Sequence, residues 1–199
     1  MSQEQREMPP VARAVGPRST LWTIGHSTHS VEEFLELLAV WKIETPVDVR
    51  RFSGSRRHPQ FNDTVLAQSL AAAGIIYQPL PQLGGRRPSR PDSINLGWRN
   101  AGFRGYADYM QTEEFQEALK TLMAEATRSR TVVMCAEAVP WRCHRSLIAD
   151  RLLTSGWDVW HILGPGQGQA HRLTAFAVVQ GERLLYPLPA DQEAPPRLF

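Results

Sequence analysis

The sequence predicts an α/β fold, a three-layer domain around a mainly parallel sheet of about five strands, with a C-terminal β-hairpin extension. Three observations lead there. Apolar runs of strand length recur at residues 21–24, 47–50, 75–80, 131–134 and 157–163. Segments with helical spacing separate them, and a helix between two strands of one sheet makes a right-handed crossover that leaves those strands parallel. Near the end, residues 174–179 and 183–186 flank Gln180-Gly181, a hairpin turn. At 199 residues, 42% of them hydrophobic, the chain suffices for one domain. It is placed at residues 20–188, between a disordered tail at 1–19, punctuated by Pro9, Pro10, Gly16 and Pro17, and a loose tail at 189–199.

Taken in order, the first strand ends in Gly25-His26-Ser27. Ser30 and Glu33 form a capping box, and Phe34, Leu37, Leu38 and Trp41 line one face of the helix that follows. The second strand, Val47-Asp48-Val49-Arg50, runs into a loop holding Arg51, Arg56 and Arg57. Asp63 caps a second helix through Ala73, closed by Gly74, and the third strand exits into Leu83-Gly84-Gly85-Arg86-Arg87. Residues 89–102, rich in Pro, Asn and Gly, make a long loop of the kind that carries function. A short helix is expected at 103–109, and Thr112 opens a longer one to Arg128 with Phe115, Leu119, Leu122 and Met123 inward. Residues 131–149 then combine a strand ending in Cys135-Ala136-Glu137, a loop broken by Pro140, and a helix opened by Cys143-His144-Arg145. Gly156 caps that helix, the last parallel strand carries His161, and residues 164–169 read as a loop.

Composition narrows the function classes. No run approaches the ~18 apolar residues of a membrane span, and the N-terminal residues lack the apolar stretch of a signal; a cytoplasmic protein without a membrane partner is expected. Two cysteines make no disulfide framework, so they are read as thiols. The net charge of +2 hides an uneven distribution: residues 50–104 hold nine of the twenty arginines against two acids, Asp63 and Asp92, an excess of +7 that leaves −5 elsewhere. Arginine presents a rigid fork suited to phosphate or carboxylate.

In an open α/β sheet ligands bind beyond the carboxyl ends of the strands. The exits of the predicted strands would bring an anion-recognising cleft together there. Arg50, Arg51, Arg56, Arg57, Arg86, Arg145 and His144 are its candidate anion ligands, with Asp48, Gly84 and Gly85 beside them. Glu137 and His26 are candidate proton carriers, and Cys135 or Cys143 a candidate nucleophile, although Cys143 also suits simple burial. Cys135 and Arg142 stand one residue too far apart for a cysteine-phosphatase cradle, and Glu137 and Pro140 would intrude on it. Cys135, Cys143 and His144 fit no usual zinc spacing, and neighbouring Cys143 and His144 are expected to face different ways, so neither metal nor cofactor is expected. Phe52, Phe61, Trp98, Phe103, Tyr106, Tyr109 and Trp141 interleave with the basic loops, which suits base stacking, with core packing the default for Phe103 and Tyr109.

Several motifs together carry a resemblance. Thr23-Ile24-Gly25-His26-Ser27, Val47-Asp48-Val49-Arg50 with Ser53-Gly54-Ser55-Arg56-Arg57 and Phe61-Asn62, Leu83-Gly84-Gly85, Phe103-Arg104-Gly105-Tyr106-Ala107, and Cys135-Ala136-Glu137 with Cys143-His144-Arg145 occur in that order. Over about residues 21–163 the chain resembles the bacterial and archaeal domain-of-unknown-function family DUF488. The resemblance implies a cytoplasmic α/β domain and names no activity. The residues themselves favour an enzyme acting on a phosphate-bearing substrate, a nucleotide or nucleic acid, through Glu/His acid–base or Cys chemistry. The alternative is a non-catalytic nucleotide- or nucleic-acid-binding module, whose affinity would fall steeply with salt and survive loss of Glu137 or the cysteines.

Overall fold

Residues 19–189 are described by the computed structural model; the expected tails, apart from residues 19 and 189, lie outside that range. Six strands form one sheet in the order β3-β2-β4-β1-β5-β6. They are β1 (Thr20–Gly25), β2 (Thr45–Asp48), β3 (Gln78–Pro79), β4 (Thr131–Cys135), β5 (Asp158–Gly164) and β6 (Gln167–Ala170). The first five are mutually parallel, and β6 runs antiparallel to β5 at the edge. Two further strands, β7 (Val178–Gln180) and β8 (Arg183–Leu185), make the C-terminal hairpin that the sequence predicts.

Helices cover both faces of the sheet, and strand alternation decides which side chain meets which layer. Trp22, Ile24, Val132, Met134 and Ile162 join Phe34, Leu38, Leu66 and Leu70 of α1 (Val31–Val40) and α2 (Asp63–Ala72). Leu21, Val47, Val133 and Cys135 join the core of α3 (Ala101–Tyr109), α4 (Glu113–Ala126) and α5 (Arg145–Thr154). Because both faces are buried, the central strands read as unbroken apolar runs. Among the described residues no helix is long and apolar enough to cross a membrane.

Local chemistry sets the boundaries. The capping box at α1 forms as expected, with Glu33 N–H donating to Ser30 Oγ at 3.1 Å and Ser30 N–H to the Glu33 carboxylate at 2.7 Å. Helix α3 starts two residues before the expected 103, because the Asn100 side chain accepts from the amides of Gly102 and Phe103 at 2.8 and 3.2 Å. Asn62 rather than Asp63 holds the N-cap position of α2, and its side chain instead accepts from Ser55 N–H at 2.6 Å, pinning the arginine loop. The third strand shrinks to Gln78–Pro79, and of the expected 174–179 only the last two residues are strand, in Val178–Gln180.

A larger difference lies at residues 164–169, expected as loop, where β6 forms. The Trp41 indole donates to Gly164 O at 3.2 Å and packs so closely on Gly168 that a Cβ there would come within 2.5 Å of the ring. Glycine lets the strand lie against the indole, a tertiary contact no local pattern announces.

The C-terminal segment is tied to the core by polar groups. Asp150, fully buried on α5, accepts from His171 Nε2 at 2.9 Å, Thr174 N–H at 2.9 Å, Thr174 Oγ1 at 2.7 Å and Tyr186 O–H at 2.9 Å. A carboxylate only accepts, so Nε2 of His171 carries its proton and Nδ1 takes the bond from His161 Nε2 at 2.9 Å. His161 Nδ1 in turn accepts from the Thr23 hydroxyl at 2.7 Å.

Candidate active site

Five parallel strands put their carboxyl ends on one edge, and a cleft of about 300 Å³ opens there. Its lining comes from four segments: Arg50, Arg51 and Phe52 after β2; Gly85 and Arg86 after β3; Asn100, Gly102 and Phe103 at the start of α3; and the β4–α5 loop with Cys135, Ala136, Glu137, Arg142, Cys143 and His144.

The β4–α5 loop builds the floor. Cys135 closes β4, and Cys143 has extended backbone (φ −132°, ψ 143°) while His144 already lies in the helical region (φ −58°, ψ −17°). That switch turns the two neighbours toward one point, against the divergence expected of them. His144 Nδ1 lies 3.8 Å from Cys143 Sγ and 4.0 Å from Cys135 Sγ, and the three atoms lie within 4.8 Å of one another. Both cysteines are free and buried, and His144 Nε2 is buried with no partner. The Cys143 thiol, donating to Cys135, holds the Cys135 thiol well below its usual range, with His144 and Arg145 adding to the effect against the pull of burial. The same bond pushes Cys143 up, so Cys135 is the more acidic thiol of the pair.

Packing from below fixes this floor. Gly85 lies against the His144 ring, where a Cβ would come within 2.8 Å of Nδ1, and Gly84 sits equally close beneath Arg51. Arg145, 1% exposed, gives its guanidinium to the main-chain carbonyls of Glu137 and Ala138 rather than to any ligand. Gly25 leaves room for that arrangement, since a Cβ there would collide with Glu137 O.

One wall is a buried network. Arg50 donates through Nε and Nη2 to Asp48, whose carboxylate also accepts from Tyr77 O–H at 2.7 Å, and Nη2 reaches Phe61 O at 2.7 Å. His26 donates from Nδ1 to Ser27 O at 3.1 Å, so its Nε2 accepts from Arg50 Nη1 at 3.3 Å. Burial and the Arg50 charge push His26 down to about 4. It is therefore neutral near pH 7, with its basic nitrogen occupied, and it is not among the cleft-lining residues.

The mouth is different. Arg86 and Arg142 have no acidic partner among the described residues, and Arg51 bonds only to Arg86 O, at 2.9 Å. Arg51 and Arg86 flank the ring of Phe52, 64% exposed, at 5.6 and 5.9 Å from its centroid. Glu137 is exposed beside them. Of the residues the sequence nominates, the structure brings together Arg50, Arg51, Gly85, Arg86, Cys135, Glu137, Cys143 and His144. Asp48, Gly84, His26 and Arg145 stand behind that lining as supports, and exposed Arg56 and Arg57 lie outside it. Phe52 lines the cleft as one of the aromatics read as suited to base stacking, and Phe103, expected in the core, lines it too. Asn100, Gly102, Ala136 and Arg142 line it without having been nominated, Ala136 and Arg142 adjacent to the cysteines and Asn100 and Gly102 within the 89–102 loop read as functional.

Fold and cleft define a three-layer α/β domain with a thiol–imidazole floor and an arginine mouth. A family model, Domain of unknown function DUF488, matches residues 30–152, and the chain belongs to that family. No curated protein and no solved structure matches it. The matched span holds every lining residue of the cleft, while β1 and β5 complete the sheet from outside it.

Proposed function

We propose that this protein is an enzyme acting on a phosphate-bearing substrate, a nucleotide or a nucleic-acid end, held in the cleft at the carboxyl edge of the sheet. One observation carries the reading: guanidinium groups of Arg51, Arg86 and Arg142, without acidic partners among the described residues, surround the mouth of a cleft floored by Cys135, Cys143 and His144. An anion entering there gains charge-assisted hydrogen bonds without breaking an existing ion pair. Phe52, 64% exposed, sets an aromatic ring beside two arginines, a pairing suited to a nucleobase with its phosphate. The volume, about 300 Å³, sits at the lower end of the roughly 300–1,000 Å³ of small-molecule sites, which suits one nucleotide or a strand terminus. The cluster at the floor is the reaction centre, and Glu137 moves protons. Arg50 and His26 hold the wall.

Calorimetric titration and thermal shift with nucleoside mono-, di- and triphosphates, pyrophosphate and a short single strand test this. Arg86→Ala and Arg51→Ala should each weaken binding about tenfold, the ~1.4 kcal/mol of one charge-assisted contact. Cys135→Ser and Glu137→Gln should keep binding and stop turnover of the ligand found. Affinity indifferent to both arginines would end the reading. Salt-sensitive binding with no turnover in the wild type would make the domain a binding module instead.

A further inference from the structure

The geometry points to a metal site: we propose that Cys135 Sγ, Cys143 Sγ and His144 Nδ1 bind one zinc-type divalent cation, with the remaining coordination position open to the cleft. The inference rests on the reading of this cluster as the reaction centre and says what occupies it. Three soft or borderline donors surround a common point, with all three atoms within 4.8 Å of one another. Zinc bonds of about 2.3 Å to sulfur and about 2.0–2.1 Å to nitrogen put tetrahedral ligand atoms roughly 3.5–3.8 Å apart. The two sulfur–nitrogen separations are 3.8 and 4.0 Å and the two sulfurs lie within 4.8 Å of each other, so closure takes a contraction of at most about 1 Å.

The donors come from a rigid frame. Cys135 ends a central strand paired to Gly25 of β1, and His144 is wedged between Gly85 and the Tyr106 ring, 4.9 Å between centroids. Ser146 ties Cys143 to the helix start, its hydroxyl and its amide donating to Cys143 O at 2.9 and 3.0 Å, the kind of outer contact that orients a ligand. Three protein ligands with one side facing a cavity is the pattern of catalytic rather than structural zinc. Here the open side faces Ala136, Glu137 and the arginine mouth, where a water or a phosphate oxygen can complete the shell.

Cobalt(II) titration of the untagged, metal-stripped chain is the test. Cys135 and Cys143 are its only cysteines, so a thiolate-to-cobalt charge-transfer band can arise nowhere else. The expected result is one cobalt per chain, with the strong visible bands of a four-coordinate ion and displacement by zinc. Cys143→Ser and Cys135→Ser should each remove part of the charge-transfer band. His144→Gln should keep both thiolates. Each of the three should weaken binding by at least about 100-fold, beyond the loss usual for outer-shell changes. Circular dichroism shows whether each variant is folded, and zinc protection of the wild-type thiols from alkylation gives a readout free of any variant. No charge-transfer band at stoichiometric cobalt, or unprotected thiols in saturating zinc, overturns the proposal. Nucleotide binding is measured separately in chelator, so the anion cleft and the metal site stand or fall apart.

Discussion

Asp48 and Arg50 show which part of residue chemistry a sequence carries and which part only packing decides. Both lie at a strand exit, and both were nominated as ligand contacts, but Arg50 is 8% exposed and turned onto Asp48. A buried pair of this kind is costly to break from one side, because the survivor keeps an uncompensated charge. Asp48→Asn should therefore destabilise the fold by about 3–5 kcal/mol, measured by urea denaturation; a loss under ~1 kcal/mol would mean that solvent reaches Arg50. Arg51 and Arg86, without an acidic partner among the described residues, could not be separated from the paired Arg50 by sequence, since all three sit in the same basic segment. The convergence of Cys143 and His144 was hidden for another reason, a change of backbone region between consecutive residues that no spacing rule encodes.

Elements were easier to read than their edges. Five parallel strands, the capping box at α1, the Thr112 cap of α4 and the closing hairpin all follow from periodicity and cap chemistry. The edge strand β6 did not, because four exposed residues rich in Gln and Gly carry no apolar alternation. Nor did the Asn100 cap, read as part of the 89–102 loop, which starts α3 and also lines the cleft. Asn100→Ala should lower stability by about 1 kcal/mol and loosen the first turn that carries Gly102 and Phe103. Ser30→Ala should cost about as much while leaving ligand affinity unchanged, because that cap lies outside the cleft. Calorimetric melts paired with nucleotide titrations separate the two, and equal effects on affinity would count against a role for α3 in the cleft.

Across the whole molecule, stability is linked to pH through His161. Burial, together with the neighbouring His171 and Arg145, pushes this imidazole down to about 3, so it is neutral in the folded protein and takes a proton only when unfolded, near 6.5. The unfolded chain binds the extra proton below about pH 6.5, so the contribution of His161 is fully present above that value and is lost as pH falls toward 3. Melting temperature should drop over that interval, and His161→Gln should lower it at pH 7.5 while flattening the acid limb. An unchanged limb in the variant would show that other groups govern it.

The string from Thr23 through His161 and His171 to Asp150 has a polarity, since a single terminal anion dictates which end of every link gives its hydrogen. Asp150→Asn would keep an oxygen for His171 Nε2 and the Thr174 amide, which share Oδ1, and its NH2 would donate to the Thr174 and Tyr186 hydroxyls, which can turn to accept; Asp150→Leu would leave all four without a partner. With the acceptor gone, the loss in Asp150→Leu would spread from one side chain into β1, β5 and the C-terminal segment together. This one carboxylate sets the sense of a polar seam that spans sequence positions 23 to 186.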